Sequence, residues 1–137
     1  MFDSIDMYLI HTTINRKSTK ILKNIDQDKS KSMLPLVDDM HKAILKSDVT
    51  SFANIINEGW KRKKESNSLT IKNTTVSGID NVLNKDKEIL AHKLCGAGNG
   101  GFFLVITKSG YDTSKIILNR KIIPISISNT GARCYEV

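Results

Sequence analysis

The chain has 137 residues, 39% of them apolar and 26% charged, and its 21 Lys and Arg against 14 Asp and Glu leave a formal charge of +7. That length suits one domain, residues 1–137, with a single core and no need of cross-links. No apolar run approaches the roughly 18 residues of a membrane-spanning helix, the N-terminus lacks a basic-then-apolar leader, and Cys95 and Cys134 support neither a disulfide framework nor a zinc site. A cytoplasmic protein without a membrane partner is expected. Its positive balance favours anionic partners, phosphorylated metabolites as readily as nucleic acid.

In chain order, Met7 to Thr12 reads as a first strand, apolar on both faces. Ile14, Ser18, Ile21, Leu22 and Ile25 then recur at helical spacing, with Arg16, Lys17, Lys20 and Lys23 outward. A second helix is expected from Ser32 as N-cap, with Pro35 in its first turn and a core stripe of Met33, Leu36 or Val37, Met40 and Ile44. Asp48 caps a third, carrying Phe52, Ile55, Ile56 and Trp60 and ending in Lys61-Arg62-Lys63-Lys64, cations that suit a helix C-terminus. Residues 65–74 are polar and read as loop. Thr75 opens a short helix through Ile79, Val82 and Leu83.

Leu90 to Cys95 reads as extended, and Phe102 to Ile106 as a strand buried on both faces. Tyr111 to Arg120 is expected to be helical. Ile123, Ile125 and Ile127 alternate with polar residues and Pro124, the pattern of an edge strand or of a strand's first residues. Ala132 to Val137 would add a last strand. The sum is an α+β fold of about four largely antiparallel strands with helices packed on one side, a ferredoxin-like plait.

Between the two central strands, four of the chain's eight glycines fall in Gly96 to Gly101. Gly96-x-Gly98-x-x-Gly101 matches the dinucleotide pattern, but there the third glycine must open a helix, and here it opens a strand. A phosphate loop would end in Gly-Lys-Ser/Thr, where this chain has Gly101-Phe102-Phe103. Protein kinases place glycines between strands, yet the chain is too short for that fold and has no His-Arg-Asp loop. The bland alternative is a ligand-free β-turn, but a two-residue hairpin needs only one or two glycines. Backbone N–H groups in such a loop can approach an oxyanion closely, and Asn99 is the non-glycine residue best suited to a left-handed position.

Lys93-Leu94-Cys95-Gly96-Ala97-Gly98-Asn99-Gly100-Gly101-Phe102 resembles the third motif of the GHMP kinases, nearest the branch of D-glycero-D-manno-heptose 7-phosphate kinase and related sugar kinases. Thr12-x-Ile14-x-Arg16 with Lys20-Ile21-Leu22 resembles the strand-to-helix entry of that branch's C-terminal domain. Glu58 to Lys64 resembles the helix before its substrate loop, Ile79-Asp80 fits the short helix before motif three, and Gly131-Ala132-Arg133 resembles the terminal Gly-Ser-Arg. Asn99 and Thr13 stand where the branch has glycine. The family's ATP-binding Pro-x-Gly-x-Gly-x-Ser-Ser-type loop is absent from the sequence, as is the N-terminal domain that supplies its catalytic acid or base.

The resemblance implies transfer of a phosphoryl group from ATP, with Mg2+, to a sugar or sugar phosphate. Gly96, Ala97, Gly98, Asn99, Gly100 and Gly101 would line the nucleotide-phosphate and acceptor cleft. It supplies no catalytic residue and no metal ligand in this chain. The expectation is therefore a C-terminal part, inactive alone, whose partner is the N-terminal half and whose exposed apolar surface promotes self-association. Arg16 and Arg133 are candidates to pair with substrate phosphate, against the plainer reading of surface arginines. Lys93 either reaches an anion or faces solvent. His11 and His92 read as structural, with no acidic partner evident; Cys95 and Trp60 read as core, and Lys61 to Lys64 as a solvated helix end.

Two alternatives belong to other classes. One is a basic α+β nucleic-acid-binding domain, since Gly100-Gly101-Phe102-Phe103-Leu104-Val105 faintly matches an RNA-binding strand motif. Against it, adjacent phenylalanines point to opposite faces, and aromatic content is only 6%. The other is a non-catalytic interaction module of kinase fold.

Overall fold

Four short apolar segments make the sheet. In the computed structural model, which describes residues 1–15, 23, 26–116 and 119–136, they are β1 (Ile5–His11), β2 (Ile89–Leu94), β3 (Phe102–Lys108) and β4 (Ile122–Ile125). All pair antiparallel, in the order β2-β3-β1-β4. Pro124 thus sits on an edge strand, where its missing N–H breaks no ladder. His11 stands opposite Phe102 and Leu94 opposite Phe103, so the end of β1 lies beside the β2–β3 loop.

Four helices precede β2 among the described residues: α1 (Gln27–Lys31), α2 (Pro35–Leu45), α3 (Val49–Ser66) and α4 (Thr74–Lys85). Three begin at an Asx side chain that accepts an orphan backbone N–H: Asp26 from Lys29, Asp48 from Ser51, and Asn73 from Thr75 and Val76. The fourth, α2, has no side-chain cap and instead starts with Pro35, whose lacking donor is no loss in a first turn.

The core has two parts. Tyr8, Ile10, Phe103 and Val105 on one sheet face meet Trp60, Val76, Ile79 and Leu83, and the ring of Trp60 stands edge-on to that of Phe103 at 6.1 Å. Ile5 and Ile106, on the other face by the strand alternation, meet Ala43, Phe52 and Ala53. α4 and Trp60 of α3 pack on the first face, and Ala43 of α2 packs on the second. α3, 18 residues long, passes the β2 edge, so its first half reaches the second.

Several expectations are corrected. Ser32 ends α1 rather than capping α2, and the buried stripe of α2 is Leu36, Met40 and Ala43, with Val37 and Ile44 turned outward. Within residues 65–74, α3 runs on to Ser66 and a 3-10 turn spans Ser68–Ile71, its start capped by Asn67. Tyr111 to Arg120 holds, among the described residues, only the 3-10 turn Thr113–Lys115. No strand forms from Ala132 to Glu136, a stretch exposed throughout. The helix expected from Ile14 to Ile25 falls mostly outside the described residues. No helix among the described residues is long and apolar enough to cross a membrane.

Gly78 sits in the middle of α4 with no heavy atom within 4 Å of the place a Cβ would take. Gly78→Ala is expected to raise stability by about 0.5–1 kcal/mol through lower unfolded-chain entropy. The urea midpoint checks it, since added side-chain atoms meet nothing that could offset the gain.

Candidate functional site

The loop between β2 and β3 is wound almost wholly at positive φ: Gly96 at 77°, Gly98 at 109°, Asn99 at 56°, Gly100 at 151° and Gly101 at 98°. At two positions glycine is required by space as well. A Cβ on Gly98 would stand 3.0 Å from the Thr70 Cα, and one on Gly100 only 2.6 Å from the Ile14 carbonyl oxygen. The loop is held from three sides. Asn99 N–H donates to the Thr70 carbonyl at 2.7 Å, and its Oδ1 accepts from Asn73 N–H at 2.7 Å, tying the loop to the start of α4. Gly101 N–H donates to the Ile14 carbonyl at 3.2 Å, while its own carbonyl accepts from both the N–H and the buried hydroxyl of Thr12 at 2.9 Å. Thr13, beside them, also takes a left-handed φ of 60°.

Two donors of the loop are unengaged. Among the described residues, the N–H groups of Gly96 and Ala97 meet no acceptor, while the turn through them brings Gly98 N–H toward the Cys95 carbonyl. Consecutive amides of this kind can cradle an oxyanion. Two cations stand at its borders: Lys63 Nζ donates to the Gly96 carbonyl, and the Arg120 guanidinium donates to the Thr12 carbonyl at 2.7 Å and to the Thr13 hydroxyl. Sequence reasoning missed Arg120, because 108 positions separate it from Thr12 and no motif marks it.

Behind the loop lies a buried polar hub. Asp80 Oδ1 accepts from Trp60 Nε1 at 2.7 Å and lies 2.8 Å from His92 Nε2, and its Oδ2 accepts from Lys64 Nζ at 3.0 Å. The Lys64 ammonium also stands 5.1 Å from the centre of the Trp60 ring. Burial by itself would push the Asp80 carboxyl upward; the hydrogen bonds from His92, Trp60 and Lys64, with the Lys64 charge, outweigh it and bring the pKa down from 3.8 to about 2. One carboxylate thereby joins α3, α4 and β2, the three elements from which the loop and its supports depart. His92, read from sequence as lacking an acidic partner, has one in Asp80. The basic end of α3 is not merely solvated: Arg62 pairs with Glu58 at 2.7 Å, Lys63 with Gly96 and Lys64 with Asp80.

The other singled-out residues disperse. Arg133 lies in the exposed C-terminal stretch with no hydrogen bond or ion pair among the described residues. Arg16 lies outside the described residues. Phe103 is fully buried, whereas Phe102 is 37% exposed and stacks on His11 with ring centres 4.6 Å apart. The paired exposed aromatics of an RNA-binding sheet are therefore not formed by this strand. Among the described residues no group of three or more His, Cys, Asp or Glu side chains could hold a metal ion.

No family model matches the chain. It is 31% identical over 99 residues to the L-fucokinase/L-fucose-1-P guanylyltransferase of Bacteroides fragilis, a match covering 72% of this chain and 10% of that protein. Its fold superposes on Streptococcus pneumoniae phosphomevalonate kinase in complex with phosphomevalonate and AMPPNP, with a TM-score of 0.68 at 14% identity over 82% of this chain and 35% of that one. It likewise superposes on Lactococcus lactis galactokinase complexed with galactose, with a TM-score of 0.57 at 13% identity over 78% and 38%. The chain thus spans a tenth of that curated relative and a little over a third of these structures. Its fold is that of a GHMP kinase C-terminal domain.

Proposed function

We propose, from this fold, that the chain is the C-terminal part of an ATP-dependent kinase acting on a sugar or sugar phosphate, with the loop of Gly96 to Gly101 at the phosphate and acceptor cleft. The carrying observation is the pair of unengaged N–H donors at Gly96 and Ala97, in a loop fixed by Thr12, Thr70 and Asn73. Such donors need no rearrangement to receive phosphate oxygens, and phosphoryl transfer depends chiefly on positioning and charge neutralisation. Lys63 and Arg120 add positive potential at the loop's edges. Mg2+, entering with ATP, neutralises charge on the transferred phosphate. The likeness to a fucokinase supports a free sugar as acceptor, and the motif's resemblance to heptose 7-phosphate kinases supports a sugar phosphate. Leu34, Val37 and Leu45, between 65% and 72% exposed along α2, fit a surface that meets further polypeptide or a second copy.

The test is to read the coding sequence upstream of Met1 for a Pro-x-Gly-x-Gly-x-Ser-Ser-type segment and to express the joined product. Transfer of labelled phosphate from ATP to L-fucose, galactose or heptose 7-phosphate is expected from the joined protein and from none of the 137 residues alone. A joined protein that labels no sugar overturns the kinase reading. Turnover by the isolated chain overturns only its inactivity.

A further inference from the structure

α2 is apolar on two sides. Leu36, Met40 and Ala43 face inward, while Leu34, Val37, His41 and Ile44 recur outward at spacings of three, four and three, with Leu45 beside them. That is the spacing of a helix-pairing seam. Its four apolar members, Leu34, Val37, Ile44 and Leu45, are half of the large apolar side chains exposed among the described residues. A helix apolar all round is one that is covered all round. The charges are sorted along its length as well: Asp38 and Asp39 stand in the first half, Lys42 and Lys46 at the end. Asp38 and Lys42 make no ion pair among the described residues, with each other or with any other group.

We propose that this seam pairs α2 with α2 of a second copy, antiparallel across a two-fold axis. Such an axis makes the patch its own partner. Here it lays the acidic first half of each helix along the basic end of the other, with the helix dipoles opposed. About a midpoint between Asp39 and Met40, Leu34 meets the second copy's Leu45, Val37 meets its His41, and Asp38 lies within reach of its Lys42. A parallel mate would set acidic beside acidic, and a helix of other sequence would need the reverse sorting of charge to fit as well. The 11 residues of α2 span about 16 Å, too little for a permanent interface, so the pair is weak and reversible, with a Kd of roughly 100 μM. The proposal goes beyond the kinase reading, which needs no second copy.

Sedimentation equilibrium of the 137-residue chain, loaded between about 10 μM and about 1 mM, reads the pairing. Reversible dimers are expected. Val37→Lys, at a side chain 65% exposed and so harmless to the fold, should remove them. Asp38→Lys and Lys42→Asp should each weaken the pair by roughly fivefold, since each turns two attractions into two repulsions. The double variant exchanges the partners and should return the affinity to within about twofold of the parent chain. Circular dichroism checks that all four variants keep the fold. A chain that stays monomeric at about 1 mM overturns the proposal, as does a dimer that Val37→Lys leaves intact. A double variant no tighter than either single one overturns the antiparallel pairing. Dimers that vanish when the upstream segment is joined to the chain assign the seam to that segment instead.

Discussion

Asp80→Ala is expected to destabilise the fold by about 3 kcal/mol, the low end of what breaking a buried charge pair removes. The side chain is 3% exposed and serves three donors from two elements, Trp60 and Lys64 on α3 and His92 on β2. Deleting it leaves the Trp60 indole N–H with no acceptor in a dry site, and buried unpaired donors are costly. The low end applies because Lys64, with 26% of its side chain exposed, can turn to water. A chemical-denaturation curve decides: a loss under about 1 kcal/mol would mean that the hub does not form.

The same carboxylate sets an acid limb. Its pKa falls from 3.8 to about 2 on folding, so its contribution is fully present above 3.8 and is lost as pH drops through 2. That shift corresponds to about 2 kcal/mol between pH 5 and pH 2. Asp80→Ala should flatten the stability profile in that window while lowering it throughout. A profile as steep as that of the parent chain would assign the acid limb to other carboxylates.

What the sequence revealed follows from the range over which each feature acts. Asp48 capping α3, Pro124 on an edge and Asn99 in a left-handed turn are local matters of one residue's geometry, and each stands where the residue type requires it. Thr13, noted only as a departure from glycine, does take positive φ. The misjudged elements depend on tertiary context. Periodicity from Tyr111 to Arg120 suggests a helix, but the segment must cross from β3 over β1 to reach β4, and Tyr111 and Ile116 pack into the core as it does so. The site's supports were hidden for the same reason. Thr12 meets Gly101 across 89 positions, Lys63 meets Gly96 across 33, and nothing in either local stretch announces the other. Asp80 and His92, 12 apart on a helix and a strand, show no spacing that a motif could carry.

Gly100→Ala is expected to destabilise the chain by about 2–3 kcal/mol and to abolish phosphoryl transfer by the joined protein. Two effects combine. The φ of 151° belongs to glycine, and the new methyl would lie 2.6 Å from the Ile14 carbonyl oxygen. That oxygen cannot simply yield, since it accepts from Gly101 N–H and lies two residues beyond Thr12, whose N–H and hydroxyl hold the Gly101 carbonyl. The loop must shift instead, moving the Gly96 and Ala97 donors. Gly110→Ala separates the two effects: its φ of 80° carries backbone strain, but nothing stands within 4 Å of its Cβ. It should lose only about 1 kcal/mol and keep activity. The excess for Gly100 is then the steric part, read as earlier unfolding and faster amide exchange at Thr12 and Gly101. Equal midpoints for the two variants would show that the loop does not press against Ile14, and the positioning argument for its donors would fall with that contact.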